Sequence, residues 1–387
     1  MANKTERKIN KRLLLGLILG ALAWGCKKDE VSKPGNWSWA NRFSFDLQSI
    51  PNYAQIDYPV HFTRALNTDN EPANNVINNK QALLGRVLFY DSLLSLNNTI
   101  SCASCHKQAL GFTDSAQFSR GFEGGKTGMH SMRLVNGRFY AAGFQFWDRR
   151  AESLEVQVLH PIQDALEMGF TAEHGGLEAL EGKLSQTDYY PPFFEFAFGS
   201  AEVTSERMAL AMAQFIRSMV SVRSKFDKGF EGVYDPFKPG LGLTDPFSKF
   251  SPEENEGKRL FMTPVFMGGA GCNDCHQAPA FTLDQMASSN GLDAGETRVF
   301  KSPSLSEVAI GGPYMHDGRF ETLHEVVEHY NSGIKFGPAL DHLLHDEQEV
   351  PIKLGLKAKQ INDLVAFLHT LSDDSFLTDE KFSNPFK

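Results

Sequence analysis

Disulfide chemistry has almost nothing to work with in this chain of 387 residues: there are five cysteines, and four of them fall in two copies of one short pattern. None is left over to form a crosslink. Positive charge is also in deficit. The formal net charge is −9, which speaks against nucleic acid as a partner and for little beyond solubility. No apolar run reaches the roughly 20 residues that a stable membrane-spanning helix needs, and nothing in the chain reads as a large sheet. What is abundant is apolar material. At 41% hydrophobic residues over this length, the chain can bury two cores of ordinary domain size.

The fifth cysteine closes the N-terminal segment. Lys8, Lys11 and Arg12 precede an apolar stretch from Leu13 to Trp24, and Gly25-Cys26 follows. Positive charge, then a short apolar run, then a small residue before cysteine predicts a signal peptide over 1–26 with a lipobox, and Cys26 as the lipidated first mature residue. Trp24 departs from the small residue usual in such a box. The expected location is the periplasm or cell envelope, with a lipid anchor and no other membrane attachment. Residues 27–79, rich in Asn, Pro, Asp and Ser, read as a tether and a segment wrapping the surface.

Cys102-Ala103-Ser104-Cys105-His106 and Cys272-Asn273-Asp274-Cys275-His276 are the two copies of Cys-x-x-Cys-His. Two thiols at this spacing match the two vinyl groups of a porphyrin, and the histidine directly after them falls where its imidazole can ligate the iron. A zinc site would need four ligands in tetrahedral array, and a thioredoxin-like pair would need no histidine at that place. Two covalently attached haem c groups are therefore predicted, with His106 and His276 as iron ligands.

The surroundings repeat as well. Gly85-Arg86-Val87-Leu88-Phe89 and Gly257-Lys258-Arg259-Leu260-Phe261 stand ahead of their respective motifs, so each half is expected to open with a helix leading into its haem turn. Ser251, Pro252 and Glu254 make a capping box with proline at the first helical position. Ile361, Leu364, Val365, Leu368 and Leu371 form one apolar face of a closing helix. Met208, Met212, Phe215, Met219 and Phe226 predict one long helix ending the first half, its methionines in the core. The fold class is mainly α, with two cytochrome c-like domains over 80–235 and 236–387.

Between the motifs lies Phe146-Trp147-Asp148-Arg149-Arg150-Ala151, followed by Leu154, Gln157, Pro161, Gln163, Glu167 and Met168; after the second motif comes Pro313-Tyr314-Met315-His316-Asp317-Gly318-Arg319-Phe320, then Thr322-Leu323 and Glu325-Val326-Val327. With Gly111-Phe112-Thr113-Asp114 after the first motif, these stretches resemble the bacterial di-haem cytochrome c peroxidase family, which includes MauG. The resemblance runs from about Gly85 to Leu371. It implies a peroxidatic haem in the N-terminal domain and an electron-transfer haem in the C-terminal one, linked through an interdomain tryptophan, here Trp147. It implies Glu167 as the acid/base for O–O cleavage and Gln157 as the group orienting peroxide.

Other implied positions stay open. Counting from Thr322, the family's methionine ligand of the second haem falls on Tyr330, as in MauG-like members; Met315 is the rival sixth ligand, with His329 behind it. His130, in a glycine-rich loop, matches by region the histidine that caps the first iron in resting peroxidases. A calcium ion between the domains would use Asn136 and the carbonyls of Gly311 and Pro313. For His61, His160, His174, His342, His345 and His369, surface or packing roles suffice.

The expected activity is peroxidase: reduction of hydrogen peroxide to water with electrons from a small redox protein, a c-type cytochrome or cupredoxin. The alternatives are a MauG-like oxidase using high-valent iron on a protein or organic substrate, and a dihaem electron carrier without catalysis. A homodimer is an open expectation.

Overall fold

Two helix pairs, one in each half, follow from the capping signals that flank them. In the computed structural model, which describes residues 38–238, 240, 242–283 and 288–387, α1 (Asn79–Tyr90) starts where the Asn78 side chain accepts from the Lys80 and Gln81 amides. A four-residue turn, α2 (Leu154–Gln157), is capped by Ser153, and α3 (Ser205–Arg217) by Thr204. In the second half α4 (Pro252–Met262) carries the Ser251–Glu254 capping box, α5 (Leu323–Glu328) the Thr322–Glu325 box, and α6 (Ala358–His369) closes the module. Each box satisfies two amides that the helix itself leaves without partners. The signal peptide and Cys26 lie outside the described residues.

Glycine sets the crossings. A Cβ on Gly85 would lie 2.0 Å from the Ala211 carbonyl oxygen, and one on Gly257 would lie 1.8 Å from that of Asp363. α1 therefore meets α3, and α4 meets α6, at backbone contact. Leu364, Val365, Leu368 and Leu371 are buried as their spacing predicts, in a core shared with Phe226, Phe261, Phe281 and Phe367. Removing each such side chain from water contributes about 1.5–3 kcal/mol.

The expected long helix through Met208 and Phe226 is two. α3 stops at Arg217, and a new helix, Lys225–Glu231, begins at the Ser224–Asp227 capping box. Both the amide and the carbonyl of Ser221 are bonded by the Asn136 side chain, at 3.0 and 2.9 Å, so the backbone between is held out of helical geometry. Met208, Met212 and Phe215 are fully buried in the core.

The described residues form no strand, only isolated bridges, and none of their helices is long and apolar enough to cross a membrane. The segment from Trp39 onward does more than wrap: Trp39, Phe43, Tyr53 and Phe62 are buried. Phe43 bridges to Phe386 near the C-terminus, and His61 lies 3.1 Å from Asp227 in the interior.

Candidate active site

The haem turns are built alike. Each is a single helical turn in which the histidine amide donates to the carbonyl of the first cysteine at 2.9 Å, His106 to Cys102 and His276 to Cys272. The chain then doubles back through a short bridge, Lys107 with Thr113 and Gln277 with Thr282. Phe112 and Phe281 stand at matching places with φ of 60° and 53°, a left-handed conformation rare for an aromatic residue.

That turn serves the imidazole. His106 Nδ1 donates to the Phe112 carbonyl at 2.9 Å, which leaves Nε2 as the nitrogen with a lone pair to offer. His276 Nδ1 lies 3.2 Å from Ser302 Oγ. Burial holds both rings neutral, His276 down at about 4, as a metal ligand requires. The four thiols are half-buried and unpaired, and burial pushes Cys102 and Cys272 up to about 12.

A slot opens beside the second motif. Its lining includes Cys272, Cys275, His276, Leu305, Val327 and Leu364, and about 1760 Å³ of it, open mouth included, is free of protein atoms. Two thiols, one imidazole and apolar walls suit a haem attached through Cys272 and Cys275. Across the slot, Asn290 Nδ2 donates to Tyr330 Oη at 3.2 Å and lies 3.4 Å from Met315 Sδ. Both rivals for the sixth ligand thus converge on one amide. Tyr330 sits in a π-type turn, His329–Gly333, that extends α5; such a turn re-aims a side chain. His329 turns its Nε2 to the Asn290 carbonyl at 3.0 Å and does not line the slot.

Glu167 faces a separate pocket of about 590 Å³, open mouth included, lined by Arg150, His160, Pro161, Gln163, Asp164 and Glu167. Burial, and then the nearby Asp164, raise its carboxyl to about 7, with Arg150 opposing. Its charge is felt at both Cys102 and Cys105, so this pocket belongs to the first motif. The backbone there is tightly packed: a Cβ on Gly121 would lie 1.5 Å from the Leu166 carbonyl oxygen.

The remaining expected residues are not all brought to that pocket. Gln157 ends α2 and does not line it, whereas Gln163 does. His130 is buried, with Nδ1 3.1 Å from the Ala116 carbonyl and Nε2 3.2 Å from Thr113 Oγ1; it does not line that pocket and borders the second slot. Trp147 also lines that slot. Its Nε1 donates to the His130 carbonyl at 2.7 Å, and its own carbonyl accepts from the Lys301 amide at 2.7 Å. The mirror contact, His130 amide to His316 carbonyl, is 2.8 Å, so the halves brace each other around this indole. His160, expected from sequence to have only a surface or packing role, stands in the Glu167 pocket; only its place just before Pro161 marked it. Asn136 and Gly311 do not fit a calcium ion: the Asn136 side chain spans the amide and carbonyl of Ser221, and the Gly311 carbonyl is held by the Arg133 guanidinium, whose positive charge opposes a second cation there.

Two haem-attachment turns on an all-helical scaffold, one beside a protonatable carboxylate and one facing a tyrosine and a methionine, define a di-haem c-type protein built for redox catalysis. The family described as di-haem cytochrome c peroxidase matches residues 79–235. The methylamine utilization protein MauG of Methylorubrum extorquens is 31% identical over 315 residues, covering 78% of this chain and 80% of its own. The cytochrome c551 peroxidase of Nitrosomonas europaea is 30% identical over 314 residues, covering 77% and 81%. A crystal structure of a MauG-like protein associated with microbial copper homeostasis superposes with a TM-score of 0.67 at 26% identity, covering 88% of this chain and 99% of that one. The chain belongs to the di-haem cytochrome c peroxidase and MauG family, which carries two haem c groups.

Proposed function

We propose that this protein reduces hydrogen peroxide to water at the Glu167 pocket, taking electrons from a small redox protein such as a c-type cytochrome or cupredoxin. The observation that carries this reading is the Glu167 carboxyl, half-buried in a pocket beside the first haem turn and pushed up by burial to about 7. Bound haem supplies an iron at which peroxide is reduced, and a second centre through which electrons enter. The side chains handle protons. Glu167 takes the proton from one peroxide oxygen and returns it to the other, and a carboxyl near 7 does both at neutral pH. His160, Gln163 and Arg150 line the same space and hold the peroxide and its water. Two protons and two electrons per peroxide give two waters. Trp147, placed where the halves brace each other, is the route for electrons between the haems.

Glu167→Gln keeps the shape and removes the proton. Steady-state peroxide turnover with a reduced cytochrome is expected to fall about 10²–10⁴-fold while both haems remain attached; an unchanged rate removes Glu167 from the mechanism.

A second reading, a MauG-like oxidase acting on a protein or organic substrate, is favoured by Tyr330 facing the second slot, since a phenolate ligand lowers a haem potential and stabilises oxidised iron. Negligible peroxide turnover with the cytochrome, together with a long-lived oxidised state, selects it. The leader sequence ending at Cys26 supports a lipid-anchored protein of the periplasm or cell envelope.

A further inference from the structure

The calcium expected between the halves meets a site already filled. Calcium takes about six to eight oxygen ligands at about 2.3–2.6 Å. Of the positional matches, Asn136 accepts the Ser221 amide on Oδ1 at 3.0 Å and donates from Nδ2 to the Ser221 carbonyl at 2.9 Å and to Ser306 Oγ at 2.7 Å. Its amide pins the linker between the halves. The Gly311 carbonyl accepts from Arg133 Nη2 at 3.2 Å, and Arg133 Nη1 donates to the Leu110 carbonyl.

Those two carbonyls come from different halves: Leu110 follows the first haem turn, and Gly311 precedes the Tyr314–Phe320 turn of the second. The space between is closed. A Cβ on Gly111 (φ +66°) would lie 2.6 Å from Arg133 Nη1 and 2.8 Å from Glu307 Cβ. Glu307, fully buried, is the carboxylate whose charge acts on Arg133. Its oxygens accept from Ser221 Oγ at 2.8 Å and from the Asp373 amide at 3.0 and 3.1 Å. Among the described residues no three acidic, histidine or cysteine side chains assemble a metal site.

We infer that the Arg133 guanidinium is the permanent cation of this interdomain seam, and that the chain binds no calcium there. A planar fork of five N–H donors bridges two carbonyls in fixed directions. A calcium ion on Gly311 would have to displace it and would stand beside its charge with no further free carboxylate.

The holoprotein with both haems tests this. Elemental analysis after dialysis is expected to find calcium below about 0.1 per chain, where a resident site gives about one. EGTA followed by added calcium is expected to leave the melting temperature and the redox titration of both haems unchanged. One tightly held calcium per chain, or a chelator effect reversed by calcium, overturns the inference. Arg133→Met is expected to lower the melting temperature. Arg133→Lys, which keeps the charge without the fork, is expected to accumulate with both haems and to melt below the native protein, and it serves if Arg133→Met fails to fold. Either variant melting at the native temperature overturns the bridging role.

Discussion

Tyr330 shows what a single side chain decides. Burial in the slot pushes its phenol up to about 12, so the free protein keeps it protonated, and only a strong Lewis acid facing it would take the proton at neutral pH. Tyr330→Phe leaves Met315 across the same Asn290 amide as the remaining ligand. A redox titration of the variant is expected to show the second haem moved upward by a substantial part of the roughly 0.8 V that axial ligands span; an unmoved potential means that Tyr330 is not on the iron. Residue by residue, the haem turns were fully legible, because covalent attachment dictates residue types at fixed spacing. Tyr330 and Glu167 were legible only by resemblance. His160, Gln163 and Arg133 were not, since a pocket lining assembled from loops and an arginine bonded to main-chain carbonyls leave no periodic mark.

Helices were legible wherever a cap and an apolar stripe agreed, as at Ser251–Glu254 ahead of α4 and along the buried face of α6. The stripe misled where it ran on through Met219 to Phe226. Its apolar spacing outlasts the helix, and the break is imposed by Asn136, distant in sequence, bonding Ser221. The crossings depend on Gly85 and Gly257, which sequence marks only as a repeat. Gly257→Ala puts a methyl group inside contact distance of the Asp363 carbonyl and of Phe367 Cβ, at 1.8 and 2.9 Å. Backbone cannot swing aside as a side chain does, so α4 and α6 must part. A destabilisation of about 2–4 kcal/mol is expected, read as a lower melting temperature and as loss of covalent haem at the second motif in a haem stain; a variant that melts like the native protein would show that the helices have room to slide.

Across the whole molecule, the halves meet through polar contacts that sense pH. Glu307 is buried and raised from 4.5 to about 7, chiefly by desolvation. The folded protein then holds a proton between about pH 4.5 and 7 that the unfolded chain releases, so this group makes stability fall as pH rises through that window. Glu307→Gln keeps an acceptor for Ser221 and Asp373 without the ionisation. It is expected to flatten the pH dependence of unfolding there by up to about 3 kcal/mol, and an unaltered slope assigns the titration to another group. The proposed electron route crosses the same seam. Trp147 bonds His130 through its indole N–H and Lys301 through its carbonyl, so contacts from both halves orient a first-half residue that borders the second slot. Trp147→Phe preserves an aromatic filler while removing both the indole N–H and the more easily oxidised ring. Electron transfer between the halves, followed by stopped-flow absorbance after peroxide is mixed with the half-reduced protein, is expected to slow at least about tenfold, a barrier increase of about 1.4 kcal/mol, with haem content and peroxide binding retained. If the rate holds, the indole is packing, and electrons pass by another path, for which the His316 ring stacked on Phe300 at 4.0 Å is the nearest aromatic alternative on this seam.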